Sequence, residues 1–179
     1  MNSPKVIERA QTIRLLLSDV DGVLTDGKLI YSGSEVETKE FHVRDGLAVK
    51  LWRSCGFQFG FVTARTSDMV ARRADELQID YLVQGRAKKL EAIEEIAAEN
   101  NIGLKDVAYI GDDLHDLQAI QQVGFGATVA DAATEVAEAA DFQTKSAGGM
   151  GALRELIEFL LKAKEKWEEA IQPFRVTSV

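Results

Sequence analysis

The chain has 179 residues, 46% hydrophobic and 28% charged, and a net charge of −8 at pH 7. That is apolar material for one full core, so a single soluble domain over residues 1–179 is expected. The acidic balance argues against general affinity for nucleic acid or an anionic membrane, while leaving room for a local basic pocket that takes an anionic small molecule. No apolar run reaches transmembrane length, and the opening MNSPKVIERAQTIR places charges where a secretory signal needs an apolar stretch. The single cysteine, Cys55, cannot form an internal disulfide. Together these features predict a cytoplasmic protein with no membrane partner, and Cys55 reads as helix packing rather than as a nucleophile.

Taken in chain order, the apolar run Ile13 to Ser18 predicts a first strand. Lys28 to Ser32 and Val36 to His42 flank the turn Gly33-Ser34-Glu35 and predict a hairpin inserted before a helix that starts near Asp45. Strands follow at Phe57 to Thr63 and Ile79 to Val83, separated by a helix over Asp68 to Leu77. A helix over Lys89 to Glu99 leads to strands at Val107 to Gly111 and Phe125 to Val129. The tail from Trp167, ending IQPFRVTSV, loses helical spacing at Pro173 and is either disordered or docked on a neighbour. Strand and helix alternate, and the strands are apolar on both faces. The expected fold is therefore α/β, a Rossmann-like doubly wound parallel sheet with an inserted β-hairpin and no cap domain.

In such sheets ligands sit beyond the carboxyl ends of the strands. Asp19, Thr63 and Asp112 all fall there. The first strand ends in DVDG, which places Asp19 and Asp21 close enough to repel each other unless a cation sits between them. Oxygen ligands of that kind suit Mg²⁺. A second acidic group, GDDLHD, ends the strand at Gly111 with Asp112, Asp113 and Asp116. Asp113 and Asp116 also fit a helix N-terminus, where the dipole welcomes acids, so their part in the metal site stays open. His42 and His115 match no zinc spacing and read as polar residues near the chemistry rather than in it.

DVDGVLTDG, a Thr closing FGFVT, a downstream Lys and GDDLHD resemble, in that order, the four motifs of the haloacid dehalogenase superfamily of phosphotransferases. FHVRDG, TAR and GGMGALRE further resemble its small capless bacterial branch, the 3-deoxy-D-manno-octulosonate 8-phosphate phosphatase family. The resemblance implies Asp19 as nucleophile and Asp21 as general acid/base, with Thr63 binding and Lys89 neutralising the transferring phosphoryl group. It implies Mg²⁺ held by Asp19, Asp21 and Asp112, with the Asp21 backbone carbonyl an alternative to its carboxylate. Gly22, Ala64, Arg65 and Arg73 fall on the substrate-binding side. The implied substrate is a sugar-acid phosphate, and the implied assembly is a homotetramer whose neighbouring subunits close each site. Arg73 is the residue expected to reach a neighbour's site.

The residue chemistry agrees with those roles. A carboxylate attacking phosphorus splits hydrolysis into two easier displacements, and the charge on the phosphoryl oxygens calls for a cation, a lysine and a hydroxyl. Lys88 competes with Lys89 for the lysine role, and Lys89 is favoured because it directly precedes the apolar Leu90. Arg65, Arg72, Arg73 and Arg86 make a basic neighbourhood on an acidic protein, and arginine forks suit the carboxylate of a sugar acid. The related 2-keto-3-deoxynononate 9-phosphate branch has a glutamate where this chain has Arg65, which favours the octulosonate. Ala64 departs from the glycine usual in that turn, which puts the reach of Arg65 in question. Two alternatives stay open here: another sugar phosphatase of the superfamily, including the nononate enzyme, and a non-catalytic phosphatase-like assembly domain.

Overall fold

A computed structural model describes residues 3–30 and 37–176. Its elements run α1 (Pro4–Thr12), β1 (Leu15–Ser18), α2 (Val43–Ser54), β2 (Gln58–Val62), α3 (Asp68–Leu77), β3 (Tyr81–Val83) and α4 (Lys89–Glu99). The second half adds β4 (Val107–Gly111), α5 (Leu117–Gln122), β5 (Phe125–Thr128), α6 (Thr134–Ala139), β6 (Phe142–Gln143), α7 (Ala152–Ala163) and α8 (Trp167–Ile171). The strands form one six-stranded sheet in the order β3-β2-β1-β4-β5-β6, and every pairing is parallel. The five strands expected in the parallel sheet are all present. The sixth, β6, is a two-residue edge strand held by the pairs Ala127↔Phe142 and Thr128↔Gln143, too short to leave a periodic signal.

Period-two alternation divides the core between the two faces of the sheet. Leu16, Phe59, Phe61, Ala108, Ile110, Phe125 and Ala127 join one cluster with buried residues of α1, α2, α3, α7 and α8. Leu15, Leu17, Val107 and Tyr109 join the other with α4, α5 and α6. Helix α7 shows why the sequence folds this way: Leu153, Leu156, Ile157, Leu160 and Leu161 recur at helical spacing and all are buried, while Glu155 and Glu158 stay on the outer face. At roughly 1.5–3 kcal/mol for each fully buried aliphatic side chain, this stripe is what docks α7 on the sheet. No helix among the described residues is long and apolar enough to cross a membrane.

Lys28–Ile30 and residues 37–42, the described ends of the expected hairpin, carry no ladder pairing, and the turn expected at Gly33-Ser34-Glu35 lies outside the described residues. An isolated two-stranded ribbon is marginal in water. Residues 37–41 are anchored instead by their side chains, as described below. The C-terminal segment is ordered through α8 and a 3₁₀ turn, Gln172–Phe174, which accommodates Pro173 at its start. Arg154 and Lys162 lie over the Trp167 ring, 5.1 and 5.6 Å from its centroid, and fasten that end to α7. Cys55 follows the last turn of α2 and packs against the core, as expected.

Candidate active site

Register alone brings the separated acidic segments together. Ser18 pairs with Phe61 on one side and with Ile110 on the other. One step further, Asp19 lies level with Val62 and Gly111, so Thr63 and Asp112 leave the sheet beside it. The chain winds outward from β1 to β3 and then returns to place β4 against the other edge of β1. The crevice at that switch point is where an α/β sheet binds its ligand.

Within the crevice, Lys89 at the start of α4 is 2% exposed and sits at the centre of the charges. Its Nζ lies 2.7 Å from Asp19 Oδ2 and 3.4 Å from Asp116 Oδ1, and donates to the Val62 carbonyl at 3.0 Å. Lys88, the competing lysine, points outward to Glu91. Asp19 accepts from the Val20 amide on its other oxygen at 2.6 Å, which fixes the carboxylate plane. Asp116 accepts from the Tyr109 hydroxyl at 2.5 Å and from the Asp112 and Asp113 amides at 3.0 and 3.2 Å. Burial, reinforced by the Asp116 charge and opposed by Lys89, raises the Asp19 carboxyl from 3.8 to about 6. Burial, with Asp116, Asp19 and Asp113 nearby, raises Asp112 to about 7, and burial raises the Tyr109 phenol well above its usual value.

Carboxylate oxygens of Asp19, Asp112 and Asp116 come within 4.8 Å of one another. Three acids against one lysine in a partly dry crevice are stable in the ionised state only with a further cation, and an all-oxygen donor set suits a hard divalent one. The fit is reinforced at Gly22. Its φ of +89° excludes ordinary side chains, and a Cβ there would stand 2.0 Å from Asp112 Oδ2. Gly148 of GGMG is pressed just as closely on the same loop, because a Cβ there would lie 1.9 Å from the Gly22 carbonyl oxygen. Gly22 thus acts through close packing on Asp112.

Of the residues expected to bind metal, Asp19 and Asp112 are in this group, whereas the Asp21 carboxylate is not. Asp21 instead pairs with Lys39 and lies 3.8 Å from Arg65 Nε. Asp116 completes the acidic group, while Asp113 caps the 3₁₀ turn Leu114–Asp116 by accepting from the Leu114 amide at 2.8 Å. Thr63 is buried at the end of β2, and its hydroxyl oxygen accepts from the Arg65 amide at 3.3 Å. Ala64 and Arg65 are exposed on the rim beyond it.

Arg73 is set apart from the acids. It lies 5.7 Å from the Phe41 ring centroid and 3.4 Å from Glu76. Arg72 also pairs with Glu76, and Arg86 pairs with Glu95. Lys39, Phe41, Met69, Arg72, Arg73 and Glu76 line an open cavity of about 260 Å³. His42 caps α2 by accepting from the Arg44 amide, in keeping with a place outside the chemistry.

Sequence reasoning missed Lys39 and Tyr109. The hydroxyl of Tyr109, interrupting the otherwise apolar VAYIG, was a usable signal. Lys39 gave none, because its place depends on how the insert folds over the site.

A model of the haloacid dehalogenase-like hydrolases matches residues 81–156. The 3-deoxy-D-manno-octulosonate 8-phosphate phosphatase of Salmonella typhimurium is 41% identical over 169 residues, 94% of this chain and 89% of the relative. Among solved structures, the 3-deoxy-D-manno-octulosonate 8-phosphate phosphatase of Moraxella catarrhalis, in complex with magnesium, phosphate and KDO, superposes with a TM-score of 0.94 at 39% identity. That match covers 96% of this chain and 98% of the other. The cobalt-bound enzyme of Haemophilus influenzae gives 0.86 at 36% identity, covering 89% and 94%.

Proposed function

The chain belongs to the 3-deoxy-D-manno-octulosonate 8-phosphate phosphatase family of haloacid dehalogenase-like hydrolases, and on that footing we propose that it hydrolyses 3-deoxy-D-manno-octulosonate 8-phosphate to the free sugar acid and phosphate. The observation that carries this reading is the Asp19 carboxylate, fixed at the end of β1 between the Val20 amide and the buried ammonium of Lys89. A nucleophile of this kind must be immobile, poorly solvated and next to positive charge.

Asp19 attacks phosphorus in line with the departing sugar oxygen, forming an aspartyl phosphate as the P–O bond to the sugar breaks. Asp21, two residues on, delivers a proton to that oxygen. It then takes a proton from the water that attacks the aspartyl phosphate, which releases phosphate and restores Asp19. Lys89 balances charge on the phosphoryl oxygens, and Thr63 at the end of β2 offers them a hydroxyl. Asp19, Asp112 and Asp116, with the Asp21 backbone carbonyl, would hold Mg²⁺, which when bound supplies further neutralisation of phosphoryl charge. In this reading Arg65, exposed on the rim of the crevice, meets the carboxylate of the sugar acid.

The whole chain acts as one domain in this reading, assembled as a homotetramer whose neighbours help to cover each site. Exposed apolar side chains support assembly: Ile30 is 52% exposed in the insert and Val43 79% at the start of α2. The test of function is a phosphate-release screen of the octulosonate ester beside the nononate ester and simple monoesters, with Mg²⁺ and after chelation. Selective turnover of the octulosonate ester, lost on chelation and in Asp19→Asn, is expected. Equal turnover of every ester, or full activity without metal, would overturn the reading.

A further inference from the structure

Residues 37–41 lie across the mouth of the crevice and are tied down at three points. Glu37 Oε2 accepts from the Ser67 hydroxyl at 2.5 Å, and Ser67 is itself held by its amide, which donates to Gln84 Oε1 at 2.8 Å. Phe41 packs on the core beneath Arg73. Between these anchors the Lys39 side chain, only 4% exposed, turns inward, pairs with Asp21 Oδ1 and lies 3.6 Å from Glu37 Oε1. A lysine loses its hydration at a steep cost unless a specific partner compensates. The strap is anchored on both sides of Lys39, so the ammonium is delivered to Asp21 rather than arriving there by chance.

The other Asp21 oxygen, Oδ2, is buried and has no hydrogen-bond donor among the described residues. Lys39 therefore fixes one oxygen, while the second faces Arg65 Nε at 3.8 Å without a hydrogen bond. A group that gives a proton to one oxygen atom and later takes one from water has to be held in a single rotamer through both steps. Asp21 leaves the strand on an irregular loop, and Lys39 is the buried cation that can hold it.

We propose that Lys39 is the positioning residue of the acid/base carboxylate Asp21, and that the strap 37–41 exists to present it. The proposal rests on the reading of Asp21 as general acid and base. It predicts a defect that depends on the leaving group. A sugar alkoxide needs Asp21 to leave, whereas 4-nitrophenolate leaves unaided, so phosphorylation of Asp19 by 4-nitrophenyl phosphate bypasses the aligned acid.

The experiment compares wild type, Lys39→Met, Lys39→Arg and Asp21→Asn by steady-state kinetics on the sugar-acid phosphate and by rapid-mixing kinetics on 4-nitrophenyl phosphate, with thermal melts as a check on folding. For Lys39→Met the expected results are a fall in kcat on the sugar-acid phosphate of about 10- to 100-fold, part of the usual contribution of a positioned acid or base, with KM little changed. A burst of 4-nitrophenolate at near wild-type rate should precede a slow steady state. Lys39→Arg, which keeps the cation, should recover most of the loss. Equal losses on the burst and on the sugar-acid phosphate, or no loss at all, would overturn the positioning role. Should Lys39→Met melt too low to assay, Lys39→Arg decides alone: a loss as large as that of Asp21→Asn overturns the proposal, and near wild-type turnover supports it. Asp21→Asn separates the two readings, because a variant without the same dependence on leaving group would remove the acid/base assignment itself.

Discussion

Lys89 Nζ stands 2.7 Å from Asp19 Oδ2, and the same ammonium lies 3.4 Å from Asp116 Oδ1, so one buried cation joins the acid after β1 to the acid after β4. Removing it leaves two carboxylates facing each other in a dry place. Lys89→Met should lower turnover by at least about 100-fold, as expected when a preorganised charge is lost from the phosphoryl site. It should also destabilise the metal-free protein at pH 8 by up to about 3–5 kcal/mol, the range for breaking a buried ion pair from one side. At pH 5 the stability gap to wild type should narrow, because Asp19, already raised to about 6, is then protonated. Melts at the two pH values check this, and an identical loss at both would contradict the bridging role.

The raised acids also set the sign of the pH dependence in the metal-free protein. Asp19 and Asp45 titrate near 6 and Asp112 near 7 in the folded state, all above the unfolded value of 3.8. Between about pH 4 and pH 7 these three groups hold more protons in the native state than in the unfolded chain, so their contribution to stability falls as pH rises through that window. Mg²⁺ binds the deprotonated site and should reverse much of the fall, raising Tm more at pH 7.5 than at pH 5. Calorimetric melts with and without Mg²⁺ across this range would show it. A metal-free Tm that climbs steadily from pH 4 to pH 7 would be the contrary result.

What the sequence disclosed and what it withheld follow from the range of the interactions involved. Asp19, Thr63, Lys89 and Asp112 were legible because each closes or opens a periodic element, and parallel register then forces their convergence. Asp116 stayed ambiguous with Asp113 because both suit the start of a helix. Only the fold shows that Asp113 caps its own turn while Asp116 turns inward to Tyr109 and Lys89. Lys39 was beyond reach, since its role depends on a contact with Asp21 made by an insert with no regular structure among its described residues. Arg73, expected from the resemblance to reach a neighbour's site, lies within its own chain 5.7 Å from the Phe41 ring centroid and 3.4 Å from Glu76, contacts that the helical pattern of α3 does not disclose.

Gly22 offers a test of the metal site that removes no charged group. Gly22→Ala puts a methyl group 2.0 Å from Asp112 Oδ2 and imposes a side chain at φ +89°. The loop or Asp112 must move, and the strain is of the order of 1–3 kcal/mol. The expected phenotype is a raised Mg²⁺ concentration for half-maximal activity, with turnover partly restored at saturating Mg²⁺. Titration of activity against Mg²⁺, beside circular dichroism to confirm folding, checks the point. An unchanged Mg²⁺ requirement would mean that Asp112 is not held by this contact.

Assembly is tested at the insert, upstream of the strap that carries Lys39. Ile30 is half exposed and adjoins Leu29, also exposed, so this end of the insert presents apolar surface. If neighbouring subunits cover the crevice, Ile30→Glu should dissociate them, because a carboxylate is costly to bury at a packed apolar contact. The separated chain keeps Asp19, Lys89, Asp116 and the Lys39 strap, all within one chain, so hydrolysis of a small artificial ester should survive. The sugar-acid phosphate should suffer more, with KM rising by about 10-fold or more as its outer portion loses the surface that positions it. Light scattering with kinetics on both esters distinguishes the outcomes: a wild-type monomer, or a dissociated variant with undiminished activity on the sugar-acid phosphate, would place the whole lid in the strap of a single chain.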